Sequence, residues 1–427
     1  MAQKLRVHSR SGKPDNIVLK ENEIMEKCEA IQSELPAFLR GFGAYLKGNV
    51  LPMTRLAYLR DIRFFCAWLV GESGLTGAAR PSEIALADFA GIRARDVNLF
   101  IDYCRHYKVE TEKTVCIYEN EKRSLARKRS SISVLFKYLY RDELIPKNIT
   151  DGFDPIKLPK PGEREIKALQ DDEVMRMLDA VTNGDALTKR ERLFWEKTRR
   201  RDKAILIFFL TYGLRISELR ELNLSSFHFG RGEFKIYRKR GKESVMPLNR
   251  SALAVLKEYA EEERRANDTL EESERDALFL SIQGRRMTER QIRELVKKYT
   301  SIAMETSRRA GYSPHKLRAT AATSLIGRGN SIFDVAALLD HENVTTTQLY
   351  AAHKKNVKRD LVRDMEWETE FEAADARRKE HAGAGAGKAG DEPGESGAEK
   401  TGGGAGEGEA RSPAAQDGDG ESGGQGS

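Results

Sequence analysis

The chain has 427 residues, 33% of them charged and 39% hydrophobic, a length that predicts two to three globular units with real cores. Its net charge of +7 combines two unlike parts: Ala382 to Ser427 hold nine acidic and three basic residues, so residues 1–381 carry +13, the footprint expected of a polyanion binder. The longest apolar run, "AILIFFL" at 204–210, is too short to cross a bilayer and "MAQKLRVHSR" lacks the apolar stretch of a secretory leader, which predicts a soluble, intracellular protein with no membrane partner.

Residues 1–30 are polar and weakly patterned, and read as an N-terminal extension. Helical patterning starts near Pro36. In "MTRLAYLRDIRFFCAWLVGESG" the residues Leu56, Leu59, Ile62, Phe65 and Leu69 recur at three-to-four spacing, with Thr54 as candidate N-cap and Gly71 near the stop. Similar patterns over 94–107 and 124–144 complete an all-helical unit at 31–145. Cys28, Cys66, Cys104 and Cys116 form no C-x-x-C pair and read as reduced core thiols.

The last helix of that unit crowds Lys122, Arg123, Arg127, Lys128 and Arg129 into its N-terminal half. Cations there oppose the helix dipole, by ~0.3–1 kcal/mol each when exposed. An external phosphate relieves that repulsion, and a merely solvated basic face is the plain alternative. Four prolines, at 146, 155, 159 and 161, mark an interdomain linker over 146–165. A second unit, 166–375, has helical patterns near 170–182 and 201–211. Two β-like runs follow in "GEFKIYRKRGKESVMPLN", and then more helices. Residues 376–427 form a Gly-rich acidic tail, and the sixteen glycines after His381, with no Val, Ile, Leu, Met or aromatic residue, predict disorder.

Within the second unit several residues are odd as packing. Arg215 opens a helix in "TYGLRISELREL", and Lys239 sits in the basic turn of the hairpin. His315 and Arg318 fall on one face of the helix begun by Ser313 and Pro314, His341 follows "SIFDVAALL", and Tyr350 closes "HENVTTTQLY". Singly, each has a bland reading as a surface cation, a satisfied histidine or a core tyrosine. Together they make an inventory suited to a phosphodiester: guanidinium forks for nonbridging oxygens, a phenol as nucleophile, and a lysine or histidine to move protons. The acidic clusters of a metal nuclease, the H-E-x-x-H of a zinc peptidase and the G-x-x-x-x-G-K-[ST] of a nucleotide hydrolase do not occur with them, so no metal or other cofactor is expected.

The ordered set "TYGLRISEL", the hairpin Lys239, "HKLR" and "LLDH" nine residues before Tyr350 resembles the tyrosine site-specific recombinases, or phage integrase family, and most of all their bacterial Xer type. "TRLAYLRD" and "SSISVLFKYLYRDEL" extend the resemblance over roughly residues 30–370. It implies a mainly α protein with a small antiparallel β-sheet, in which a helical, SAM-like core-binding domain and a catalytic domain form a C-shaped clamp. It also implies a site-specific recombinase that acts through a 3′-phosphotyrosyl intermediate without metal or ATP. Its role would be chromosome-dimer resolution or integration and excision of mobile elements. By the same resemblance Tyr350 is the nucleophile, Arg215, Arg318 and His341 hold the phosphate, Lys239 protonates the leaving 5′-oxygen and His315 assists proton transfer. Glu218 orients Arg215, and Arg286, Thr288, Arg290 and Gln291 join the basic helix as DNA contacts. The implied partners are double-stranded recombination sites and three further copies in a homotetramer, in a cytoplasmic, nucleoid-associated setting. The rival readings are a type IB topoisomerase and an inactive DNA-binding relative. Two positions depart from the pattern: Ala319 stands where a histidine is common and Asp340 where a glycine is usual. An acid beside a phosphate repels it unless it turns away or caps a helix, and Asp tolerates left-handed backbone better than most residues.

Overall fold

The computed structural model describes residues 7, 12–112, 114–159, 166–238 and 241–341. Lys239, Tyr350, the segment following the tyrosine, part of the linker and the Gly-rich tail lie outside the described residues.

Helices α1 (Asp15–Ser33), α2 (Arg40–Asn49), α3 (Pro52–Gly71), α4 (Leu86–Gly91), α5 (Ala94–Tyr103) and α6 (Lys122–Arg141) surround a first core. Proline at the first turn starts α3, since its missing N–H is one the helix leaves unpaired in any case. Leu51 is its N-cap, so Thr54 lies inside the helix and not at its cap. Leu56, Leu59, Ile62, Phe65 and Leu69 are buried as their spacing predicts, and the Phe65 ring packs against Phe100 of α5 and Phe136 of α6.

Two expectations for this region are corrected. The supposed extension before residue 30 contains α1, which buries Ile24, Cys28 and Ile31 in the first core, a stripe too narrow among charged neighbours to show as a pattern. At its other end Asn16 and Lys20 bond the carboxylate of Glu221, at 2.7 and 2.8 Å. The unit is also not all-helical: β1 (His106–Thr111) and β2 (Thr114–Glu119) pair as an antiparallel ribbon in the register Thr111↔Thr114 to His106↔Glu119. Every residue of β2 is exposed, including Cys116, so the ribbon has no buried face whose alternation could announce it. Cys28, Cys66 and Cys104 are buried thiols, and burial pushes Cys66 and Cys104 up to about 12.

The second core is built on α7 (Asp171–Asn183), α8 (Lys189–Trp195), α9 (Arg199–Tyr212), α10 (Ile216–Arg220), α11 (Arg250–Glu258), α12 (Glu289–Ala303), α13 (Pro314–Gly327) and α14 (Ile332–Leu339). A three-stranded antiparallel sheet, β3 (Phe227–His228), β4 (Glu233–Tyr237) and β5 (Glu243–Pro247), completes it in the order β3-β4-β5. Helix α9 buries Ile205, Leu206, Phe208 and Phe209 on successive faces because α7, α11 and α13 enclose it. It stops at Gly213, whose φ of +56° is left-handed; a Cβ there would lie 2.4 Å from Leu339 Cδ2. This close approach seats the end of α14 against the start of α10. Among the described residues no helix is long and apolar enough to cross a membrane.

Three of the basic residues expected to meet DNA have partners within the protein: Lys128 is buried, Arg129 half-buried and Arg127 exposed. Asp61, 2% exposed, accepts from Ser131 at 2.8 Å, lies 3.5 Å from the Lys128 ammonium and is also paired with Arg127. Lys128 further sits over the Phe64 ring at 4.7 Å, and Arg129 donates to the Phe153 carbonyl at 3.0 Å. These contacts join α3 to α6. We predict that Asp61→Ala lowers the stability of this core by roughly 3 kcal/mol, since it strands a buried ammonium. Adding Lys128→Met should restore most of the loss, as read from urea denaturation followed by circular dichroism.

Candidate active site

The site gathers on the C-terminal end of α14. A helix leaves its last carbonyls without N–H partners, and this one closes with a left-handed residue, Asp340, at φ +49° and ψ +54°. The Asp340 N–H donates to the Ala337 carbonyl at 3.1 Å and the His341 N–H to the Ala336 carbonyl at 3.0 Å, the paired bonds of a Schellman ending. The next three carbonyls, of Leu338, Leu339 and Asp340, accept from arginines.

Arg215 is the N-cap of α10; its N–H donates to Glu218 Oε2 at 2.8 Å, its Nη1 to Glu218 Oε1 at 2.6 Å and its Nη2 to the Asp340 carbonyl at 3.1 Å. Arg318, 3% exposed on α13, donates to the Gly213 carbonyl at 2.6 Å and to the Leu339 carbonyl. Arg238, directly after β4, donates to the Leu338 carbonyl at 2.8 Å and the Leu339 carbonyl at 3.3 Å, and lies 3.8 Å from Glu218 Oε1. The carboxylate of Glu218, 3% exposed, thus stands between two guanidiniums and holds Arg215 at two atoms. Asp340 turns its own carboxylate to Lys242 Nζ at 2.9 Å, and that bond, more than its milder attraction to Arg238 and Arg215, keeps the acid below the usual carboxylate range.

His315 and His341 belong to the same cluster. Burial lowers His315, with Arg318, Lys316 and Arg215 adding to the shift. Burial, then Arg318, Arg215 and His315, push His341 down to about 4 against the opposing pull of Asp340. Both imidazoles are therefore neutral at pH 7 and each offers one donor and one acceptor nitrogen.

Of the residues expected from sequence, Arg215, Glu218, His315, Arg318 and His341 converge, while Lys239 and Tyr350 are outside the described residues. Ala319 packs in the small core between α13 and α14. The expected DNA contacts divide. Lys122, Arg123 and Arg290 are exposed. Arg286 is turned inward: it donates to the carbonyls of Arg220 and Leu222 at 2.9 and 3.0 Å and to Asn223 Oδ1 at 2.6 Å, so its charge ties α10 to the loop before α12 and is not offered to a phosphate. Thr288 and Gln291 are exposed and bond one another as the capping box of α12. Sequence reading overlooked Arg238 and Lys242; in "YRKRGK" both look like members of a solvated basic turn, and bonds to backbone carbonyls leave no mark in sequence.

Residues 167–357 match the phage integrase family. Relatives include the tyrosine recombinase XerC of Natranaerobius thermophilus, 36% identical over 234 residues that span 54% of this chain and 72% of the relative. Another is the tyrosine recombinase XerD of Pseudomonas aeruginosa, 30% identical over 308 residues, 72% of this chain and 88% of the relative. Among solved structures, the XerH site-specific recombinase bound to a palindromic difH substrate in a post-cleavage complex aligns with a TM-score of 0.51 at 17% identity, covering 84% of this chain and 91% of that one, a likeness of fold. The chain belongs to the phage integrase family. It is a tyrosine recombinase with Xer homologues, in a class of enzymes that cleave and rejoin DNA strands.

Because His341 is held down to about 4 from its ordinary 6.5, the unfolded chain takes up a proton that the folded one refuses as the pH falls through that window. Stability is therefore predicted to decline from pH 6.5 towards pH 4, and His341→Gln to flatten part of that decline. Thermal midpoints of both proteins across this range provide the check.

Proposed function

We propose that this protein is a site-specific recombinase whose Tyr350 opens one DNA strand as a 3′-phosphotyrosyl ester. The observation that carries the reading is the convergence of Arg215, Arg318, His315 and His341 on the end of α14, in a chain of this family. In the forward step the phenolic oxygen of Tyr350 bonds to phosphorus and the bond from phosphorus to the 5′-oxygen breaks. The phenol proton passes to neutral His315, and the leaving 5′-oxygen takes a proton from Lys239. Arg215 and Arg318 stabilise the charge that builds on the nonbridging oxygens, with His341 donating beside them. A free phenol, pKa about 10, attacks poorly at neutral pH, so the cationic surroundings are needed for the nucleophile as well as for the phosphate. The ester conserves the energy of the phosphodiester, and a 5′-hydroxyl from the partner duplex reverses the step without ATP.

The substrate of this reading is a pair of duplex sites held by four copies of the chain. The two helical units grip each duplex, and Lys122, Arg123 and Arg290 contribute phosphate contacts.

The test uses host genomic DNA nicked at random, so that short 5′-hydroxyl ends diffuse away and trap the covalent state. The wild-type protein should emerge from SDS with DNA attached through its 3′ end, and Tyr350→Phe with none. Binding without any adduct in the wild type would leave a DNA-binding relative that performs no chemistry. An adduct that survives in Tyr350→Phe would assign the nucleophile elsewhere. The recovered DNA identifies the cognate site.

A further inference from the structure

Arg238 and Lys242 flank Lys239 in sequence and are joined through their backbones. The Arg238 N–H donates to the Lys242 carbonyl at 2.8 Å, the Gly241 N–H returns to the Arg238 carbonyl at 3.2 Å, and Gly241 takes the positive φ of +73° that closes so tight a loop. Each end is also fastened by its side chain to the same place. Arg238 reaches the Leu338 and Leu339 carbonyls, and Lys242 reaches the Asp340 carboxylate. His341 is the next residue. The β-hairpin is thus stapled twice to the segment that delivers His341 and receives the Arg215 and Arg318 guanidiniums.

We infer that Arg238, together with the Lys242–Asp340 ion pair, is a positioning device that locks the hairpin to the α14 end and so makes the proton donation assigned to Lys239 efficient. The inference rests on the reading of Lys239 as the proton donor to the 5′-oxygen. A plain packing role explains the contacts less well. The side chain of Arg238 is 1% exposed and its Nε has no hydrogen-bond partner among the described residues, so an apolar side chain of the same length would fill the space without that cost. What such a side chain cannot supply is two donors directed at successive carbonyls of α14. Asp340 is likewise more than a tolerated departure: a glycine would meet the left-handed backbone more easily but would give Lys242 no carboxylate.

Proton donation by a positioned side chain is sensitive to small displacements, whereas a sulfur leaving group departs as thiolate and needs no proton. The experiment therefore compares single-turnover cleavage of the recovered site with the same duplex bearing sulfur in place of the scissile 5′-oxygen. On the oxygen duplex Arg238→Met should bind with an affinity within about threefold of the wild type and cleave about 100-fold more slowly. On the sulfur duplex its rate should return to within about threefold of the wild type. Lys239→Ala, run alongside, should be restored in the same way. If sulfur does not restore Lys239→Ala, the assignment of the proton donor fails. If it restores Lys239→Ala while Arg238→Met is either unimpaired on oxygen or still slow on sulfur, the positioning inference is overturned.

A second arm does not depend on Arg238→Met folding. Lys242→Glu sets two carboxylates against one another and should slow the oxygen duplex. Combining it with Asp340→Gly, which removes one of them at a backbone glycine accepts, should recover much of the rate. A double variant no faster than Lys242→Glu alone would remove the ion pair from the account.

Discussion

The negative end of one helix allows three arginines to share a small, mostly buried volume. Two unit charges about 5 Å apart repel by roughly 3 kcal/mol at an effective dielectric constant near 20, so a cluster of guanidiniums does not assemble unaided. Here the carbonyls of Leu338, Leu339 and Asp340 carry the partial negative charge of the α14 terminus, and each accepts from at least one of Arg238, Arg318 and Arg215. Hydrogen bonds to charged groups contribute about 1.5–3 kcal/mol each, enough to offset repulsion of that size. The buried Glu218 supplies a full negative charge between Arg215 and Arg238.

The surrounding fold follows from holding that helix end still. Gly213 lets α9 stop where Leu339 packs, and its carbonyl takes the second arm of Arg318. The small residues Ala319 and Ala322 of α13 bring the Arg318 backbone close to α14, which explains why a bulkier residue does not follow this arginine. The Schellman ending then brings His341 to Arg318 and Arg215, and burial of its ring, with their charges adding, keeps the imidazole neutral. Arginines committed on one side to carbonyls are preorganised, so little rotamer freedom remains to be lost when a phosphate arrives.

Much of this was legible in the residues themselves. The order Arg215, His315, Arg318, His341 identified the cluster, the spacing of Arg215 and Glu218 gave their contact, and apolar periodicity found α3, α6 and α9. What stayed hidden had a physical reason in each case. Arg286 and Lys128 look like phosphate ligands in sequence, yet their partners, the carbonyls of Arg220 and Leu222 and the buried Asp61, lie 66, 64 and 67 positions away. Helix α1 buries too few residues to show a stripe, and the β1–β2 ribbon has no buried face at all. Arg238 was hidden because in "YRKRGK" it looks like one member of a solvated basic turn, and its bonds to the Leu338 and Leu339 carbonyls leave no pattern in sequence.

The most direct measurement is a crystal structure of the Tyr350→Phe protein on its uncleaved site. The account predicts nonbridging oxygens of one phosphate within hydrogen-bond distance of both Arg215 and Arg318, while Arg238 remains on the Leu338 and Leu339 carbonyls. A phosphate seated away from that pair, or Arg238 released from α14 to grip the DNA itself, would contradict it.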